Sequence, residues 1–382
     1  RGGDSEPRGL LGSGLTVVTV SAASGEVQTA VRDSVWPYLA AAAVVVGLYV
    51  DAWAHNHLVR DIGWWGTFPS RPGPPHFPAG LSVWHLPYLV ALAWSGLLAA
   101  CQGAGVHSVD AGAARHFRHR AAAMGAALVG WLVSTATSGA RTPGAGFVRL
   151  ESLPGLLGPG ALLQAGGVVY LGWSLAVHSR SGWGRAAGGW VVLSTLTFLT
   201  QFAHPYADPW PSAGFLRTGL QTYRYGLFYF GEAVGVLSLI LQAELAAAVV
   251  LAVWRAGPLP AGGWTLLFAA NGVLVAALRG HFPFVVSAAL TGLVADLLAS
   301  RVRGRDASEL RLLAGCVAGA FCASVFLVVG QMGAVDVLYG TGGGFALPHV
   351  SGLGWSVPLW MGTSLLAGGG AWLLAFLATP VR

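Results

Sequence analysis

The chain has 382 residues, of which 54% are hydrophobic and 9% charged, with a formal net charge of +6; its mean hydropathy is +0.63. A soluble globular domain carries about 25% charged residues, so this composition excludes a water-soluble fold and places the chain in a lipid bilayer. The basic excess does not point to nucleic acid, because all 21 basic residues are arginines that stand singly or in short clusters between apolar runs, where membrane topology accounts for them.

Residues 1–35 form a polar N-terminal arm with Arg1, Asp4, Glu6, Arg8, Glu26, Arg32 and Asp33, and its apolar patch Leu10 to Val20 is too short to span. The rest, 36–382, is expected to be a transmembrane helical domain. About ten hydrophobic runs follow, near 36–54, 80–101, 121–138, 157–178, 188–204, 226–254, 264–279, 282–300, 312–331 and 354–378. Each is bounded by Arg, Pro, Gly or Trp, and most have the length of a membrane helix. The predicted fold class is therefore all-α, a polytopic bundle of about ten transmembrane helices. Around Leu278-Arg279-Gly280-His281-Phe282-Pro283 two short runs meet with almost no loop, which predicts a tight hairpin or a re-entrant pair.

Ten spans put both termini and the loops after spans two, four, six and eight on one side. That side collects 14 arginines against 7 on the other and is expected to be the cytoplasm. The absence of lysine and the wealth of Ala, Gly, Val and Leu suggest GC-rich coding and hence the cytoplasmic membrane of a bacterium. Sixteen tryptophans suit interfacial aromatic belts. Cys101, Cys316 and Cys322 lie in apolar surroundings without metal-ligand spacing, as packing thiols do.

This topology sends seven of the eleven histidines, His55, His57, His76, His85, His204, His281 and His349, to the outer face, and His107, His116, His119 and His178 to the inner one. The densest group is Asp51-Ala-Trp-Ala-His55-Asn-His57 at the end of the first run, followed by His85 at the start of the second. Asp51 and His55, four residues apart, share one helix face and can point at a common atom. In the fifth run Thr200-Gln201-Phe-Ala-His204-Pro205 adds another outer histidine beside a helix-breaking proline. Asp51, His55, His57, His85 and His204 are the candidate metal ligands, because imidazole and carboxylate suit copper and zinc. The alternative for each outer histidine is an interfacial ring with one wet edge.

Glu232, Gln242, Glu244, Asn271 and Asp296 also fall within apolar runs. They serve either as hydrogen-bonding glue between helices or as part of an ion path. Asp296 is expected to pair with Arg301 or Arg303. The patches Gly342–Gly344 and Gly368–Gly370 suit close helix approach or turns, and no nucleotide-binding, Ser-His-Asp or zinc-protease pattern occurs.

The segments Asp51-Ala-Trp-Ala-His55-Asn-His57, Thr200-Gln-Phe-Ala-His204-Pro, Phe284 to Leu298 and Trp355-Ser-Val-Pro358-Leu-Trp360 resemble those of an uncharacterised polytopic membrane family of GC-rich bacteria and haloarchaea. The Asp-x3-His spacing is also similar to the copper-ligand helix in the C subunit of copper membrane monooxygenases. That second resemblance implies that Asp51 and His55 are copper ligands and that His76 or His85 supplies the third. The chain departs from the first family at Trp131 and Thr135, where family members have a further Asp-x3-His, at Gly158-Pro159-Gly160-Ala161, where they have Ser-Pro-x-His, and at Pro358, where they have the histidine of Trp-Ser-Val-His.

The expected function is the membrane subunit of a copper-dependent oxidative complex, monooxygenase-like, with an outward-facing Asp/His site and further membrane subunits as partners. The alternatives are a non-catalytic scaffold subunit of a respiratory or photosynthetic complex and a membrane transporter or permease.

Overall fold

The computed structural model describes residues 35–61, 83–106, 111–139, 157–207, 225–278, 280–302, 306–339 and 357–378. The N-terminal arm, His76, His107, Asp208, His349 and the Gly342–Gly344 patch lie outside the described residues. Within them there are ten α-helices and no strand. In chain order they are α1 (Trp36–Asp61), α2 (Leu86–Val106), α3 (Ala111–Gly139), α4 (Pro159–His178), α5 (Gly182–Leu199), α6 (Tyr225–Ala256), α7 (Gly263–Ala277), α8 (Phe284–Ala299), α9 (Ala307–Tyr339) and α10 (Val357–Ala378). Short 3-10 turns, Val83–His85 and Gln201–Ala203, precede α2 and follow α5.

Each expected run thus holds one helix. Six contain stretches long and apolar enough to cross a membrane: Trp36–Ala54, Leu86–Ala104, Pro159–His178, Gly235–Ala256, Ala307–Gln331 and Met361–Ala378. These are consistent with an integral membrane protein. Their outward faces carry bare leucines, among them Leu97, Leu237, Leu365 and Leu377, all more than three fifths exposed. Side chains of that kind belong against lipid tails. α7 and α8 have only 15 and 16 residues. At ~1.5 Å per residue they measure about 23 Å, short of the ~30 Å hydrocarbon core.

The helices close into two rings that share a wall. α1 to α5 pack each on the next, and α5 returns to α1; α5, α6, α9, α8 and α7 form the second ring, with α10 outside against α6 and α9. The shared helix α5 is accordingly the one lined with small residues on several sides. Gly184, Ala186, Gly188, Gly189, Ser194, Thr195 and Thr197 are all buried in it. A Cβ at residue 188 would lie 2.5 Å from the backbone nitrogen of Ala176, and one at residue 189 would lie 2.6 Å from Val253. Two neighbouring glycines therefore admit α4 on one side and α6 on the other. Apolar side chains gain little by leaving lipid for a helix neighbour, so such backbone approach is what holds membrane helices together.

α7 and α8 form the expected tight hairpin, turning through Gly280 at φ +78°, a left-handed conformation that favours glycine. A Cβ on Gly292 of α8 would lie 2.6 Å from the Cα of Thr265. This contact sets the position of Asp296 one turn further on. Its carboxylate accepts hydrogen bonds from the backbone N–H of Trp264 (3.2 Å), the backbone N–H of Thr265 (2.9 Å) and the Thr265 hydroxyl (2.6 Å). The expected pairing of Asp296 with Arg301 gives way to this arrangement, and Arg303 lies outside the described residues. The physical reason is that the N-terminus of α7 presents unsatisfied N–H groups and a partial positive charge at a fixed place, whereas an arginine must be ordered to reach. Asp296→Ala is expected to destabilise the protein by about 1–2 kcal/mol, the cost of losing a helix N-terminal acceptor. Thermal unfolding in detergent measures it, with Asp296→Asn expected to lose less.

Candidate functional site

The site is built on the second half of α1. Gly47 lets α2 approach so closely that a Cβ there would lie 2.8 Å from both N and Cα of Tyr88. One helical turn beyond Gly47 stands Asp51, and three residues before Tyr88 stands His85, in the 3-10 turn that opens α2. The close approach of the two backbones therefore brings these side chains together. His85 Nδ1–H donates to Asp51 Oδ2 at 2.7 Å, and the two residues are 2% and 6% exposed. The Trp131 indole of α3 meets the imidazole in a T-shaped contact, ring centroids 5.9 Å apart.

This bond has two chemical consequences. A carboxylate accepts only, so the Nδ1 position carries the proton and the lone pair of the neutral ring sits on Nε2. The carboxylate also fixes the ring plane and makes that lone pair more basic, the arrangement found behind metal-bound histidines. Trp131 of α3 lies against the imidazole.

The other expected ligands fall into two groups. His55 and His57 lie on the last turns of α1, and their side chains are outside the described residues. His204 is described, buried at 1% exposure, and engaged elsewhere. Its Nδ1 accepts the backbone N–H of Tyr206 at 3.2 Å, and its ring packs on Tyr206 (4.7 Å) and Phe321 (6.2 Å). In that tautomer the neutral ring carries its proton on Nε2, so no lone pair remains there for a metal. The structure thus brings Asp51 and His85 together and places His204 in an aromatic cluster with α8 and α9. Among the described residues no group of three His, Cys, Asp or Glu side chains converges as a metal-binding set.

Two chains of hydroxyls run through the same end of the bundle. The Tyr49 hydroxyl donates to the Ser194 carbonyl (3.0 Å) and lies 3.1 Å from Thr197 Oγ1, which donates to Asn271 Oδ1 at 2.8 Å. The Tyr206 hydroxyl lies 3.1 Å from Ser287 Oγ, itself 2.7 Å from Ser324 Oγ. Gln242 Nε2 donates to Thr200 Oγ1 at 3.0 Å. Asn271 and Gln242 thereby act as links between helices, one of the two roles open to them from the sequence. The hydroxyl chains were not singled out beforehand, although the run Ser194-Thr195-Leu-Thr197-Phe-Leu-Thr200 inside an apolar stretch is their signal. At the opposite end, His116 and His178 face each other with ring centroids 4.1 Å apart, and buried Arg120 donates from Nε to Ser174 Oγ at 2.7 Å.

Comparison of the chain with protein-family models, with curated proteins and with solved structures gives no match.

Proposed function

We propose that the chain is the membrane subunit of a copper-dependent oxidative complex, with a metal site centred on the buried pair Asp51 and His85. The observation that carries this reading is the 2.7 Å bond from His85 Nδ1 to Asp51 Oδ2 in a setting closed by Trp131. It supports a ligand role for His85 through Nε2 and a positioning role for Asp51. The neighbouring His55 and His57 are the residues proposed to complete the set. Copper held there would supply one-electron redox chemistry and an open position for dioxygen. The protein's own contribution is to hold the imidazole in one tautomer, to orient it, and to keep water from the carboxylate.

In this reading all ten helices lie in the bilayer, both ends face the cytoplasm as the arginine asymmetry requires, and the site opens outward. A second reading, a scaffold subunit without its own metal, is favoured by the engagement of His204 with Tyr206 and Phe321. Elemental mass spectrometry on the detergent-purified protein, reloaded with copper, separates the two. A stoichiometric copper lost in His85→Ala and weakened in Asp51→Ala is the expected result. Absence of bound metal after reloading overturns the copper reading and leaves the scaffold.

A further inference from the structure

Glu244 stands apart from every other acidic side chain described. It lies on α6 near the middle of the apolar stretch Gly235–Ala256. The neighbouring helices give the same depth independently: Cys322 of α9 is close enough to feel its charge, and Gly370 of α10 faces it, both well inside their own apolar stretches Ala307–Gln331 and Met361–Ala378. A Cβ on residue 370 would collide with Glu244 Oε1. The glycine is what makes room for the carboxyl group.

Both carboxyl oxygens are buried, and among the described residues neither meets a hydrogen-bond donor. Gln242, two residues earlier, is turned toward α5 and bonded to Thr200, so it offers nothing. Among the described residues no arginine or histidine pairs with the carboxylate either. The arginines described on these helices are engaged elsewhere: Arg255 of α6 donates to the Ala378 carbonyl at the end of α10, and Arg311, in the first turns of α9, lies against the rings of Trp372 and Phe376. A carboxylate in hydrocarbon with neither a donor nor a counter-charge is costly, and acidic groups kept in such places mark ion or proton sites. Helix packing alone does not need it, since an alanine or leucine at position 244 would satisfy α6 without that cost.

We propose that Glu244 is a proton-binding site at mid-membrane, a carboxyl group that is protonated at rest and exchanges its proton through the seam between α6, α9 and α10. The titratable group facing it from α9 is Cys322; from α10 it faces the backbone at Gly370 and no charged side chain. The occupant is the proton, since a site without described donor-oxygen partners offers a metal cation one carboxylate only. The proposal stands independently of the copper site, which lies on α1 and α2.

The test uses the full chain in lipid vesicles. Infrared spectra should show an unionised carboxyl carbonyl band at neutral pH that is missing in Glu244→Gln, shifts on transfer to heavy water and disappears on raising the pH. Dicyclohexylcarbodiimide should label the same residue: the carboxyl oxygen bonds to the central carbon of the reagent while the proton passes to its nitrogen, so only the protonated acid reacts. Labelling of Glu244 that slows as pH rises, found by peptide mass mapping and abolished in Glu244→Gln, is the expected outcome. A band that neither exchanges nor titrates, or a chain that resists the carbodiimide at acid pH, overturns the proposal. Since Glu244→Gln removes no described hydrogen bond, the variant is expected to fold. Should it fail to accumulate, Glu244→Asp supplies the comparison, with the band retained at a shifted frequency.

Discussion

Asp51→Ala is expected to lower stability by about 3 kcal/mol, within the range for breaking a buried pair by removal of one partner. The substitution leaves the Nδ1–H of His85 facing a gap where the buried carboxylate stood. His85→Ala is expected to cost a similar amount, since it removes the imidazole that the buried carboxylate bonds. The double variant distinguishes a true pair from two separate contributions. If each side chain is costly chiefly because its partner is gone, the two losses do not add, and the cycle should give a coupling of about 2 kcal/mol. Additive losses would mean that the 2.7 Å contact contributes little. Thermal or denaturant unfolding in a mild detergent, with the same lipid supplement for all four proteins, measures the cycle. Copper retention, measured on the same samples, reports separately on the metal.

Gly188→Ala is expected to be as damaging, for the opposite reason. The new methyl would lie 2.5 Å from the backbone N of Ala176, 2.6 Å from the carbonyl of Gly172 and 2.9 Å from the Cα of Ala176. All three are main-chain atoms, which cannot rotate away, so α4 and α5 must separate. Forced overpacking of this kind costs about 1–3 kcal/mol, and a valine at the same position more. The control is Gly166→Ala on α4, where a Cβ meets nothing within 4 Å. There the substitution is expected to stabilise slightly, by up to about 1 kcal/mol, because alanine is the better helix former. Comparing melting temperatures of the two variants separates steric exclusion from a general intolerance of change at glycine.

The helices were legible in the sequence because a bilayer imposes length and apolarity together, and all ten runs contain one. Their ends were less so. α3 begins at Ala111, ten residues before its apolar run, because Arg115, His116, Arg118 and His119 continue the helix past the apolar zone as a basic stretch in its second and third turns. α5 ends at Leu199, short of Pro205, where the Thr200 hydroxyl turns back to the Leu196 carbonyl and a 3-10 turn follows. His204 then takes the extended backbone expected before a proline, with ψ 122°.

Of the site, the grouping of Asp51 and His85 at one depth was legible, but their bond was not. It depends on Gly47 meeting Tyr88, a contact between positions far apart in the chain that no local pattern encodes. The same holds for Asp296. Reading along the sequence favours a nearby arginine, whereas the folded hairpin offers the start of α7. His204 shows a third kind of failure: its partners are decided by the turn of residues 204 to 207 and by Phe321 more than a hundred positions away.

The shared position of α5 bears on how the protein is made. As the nascent chain enters the membrane, α1 to α5 can close their ring and join Tyr49 to Thr197. The Gln242 that meets Thr200 and the Asn271 that accepts from Thr197 arrive only with α6 and α7. Until then α5 lacks the neighbours that cover its glycines and bond its hydroxyls in the finished fold. Folding of the second ring is therefore part of the maturation of the first, which keeps an unfinished wall until α6 and α7 have been synthesised.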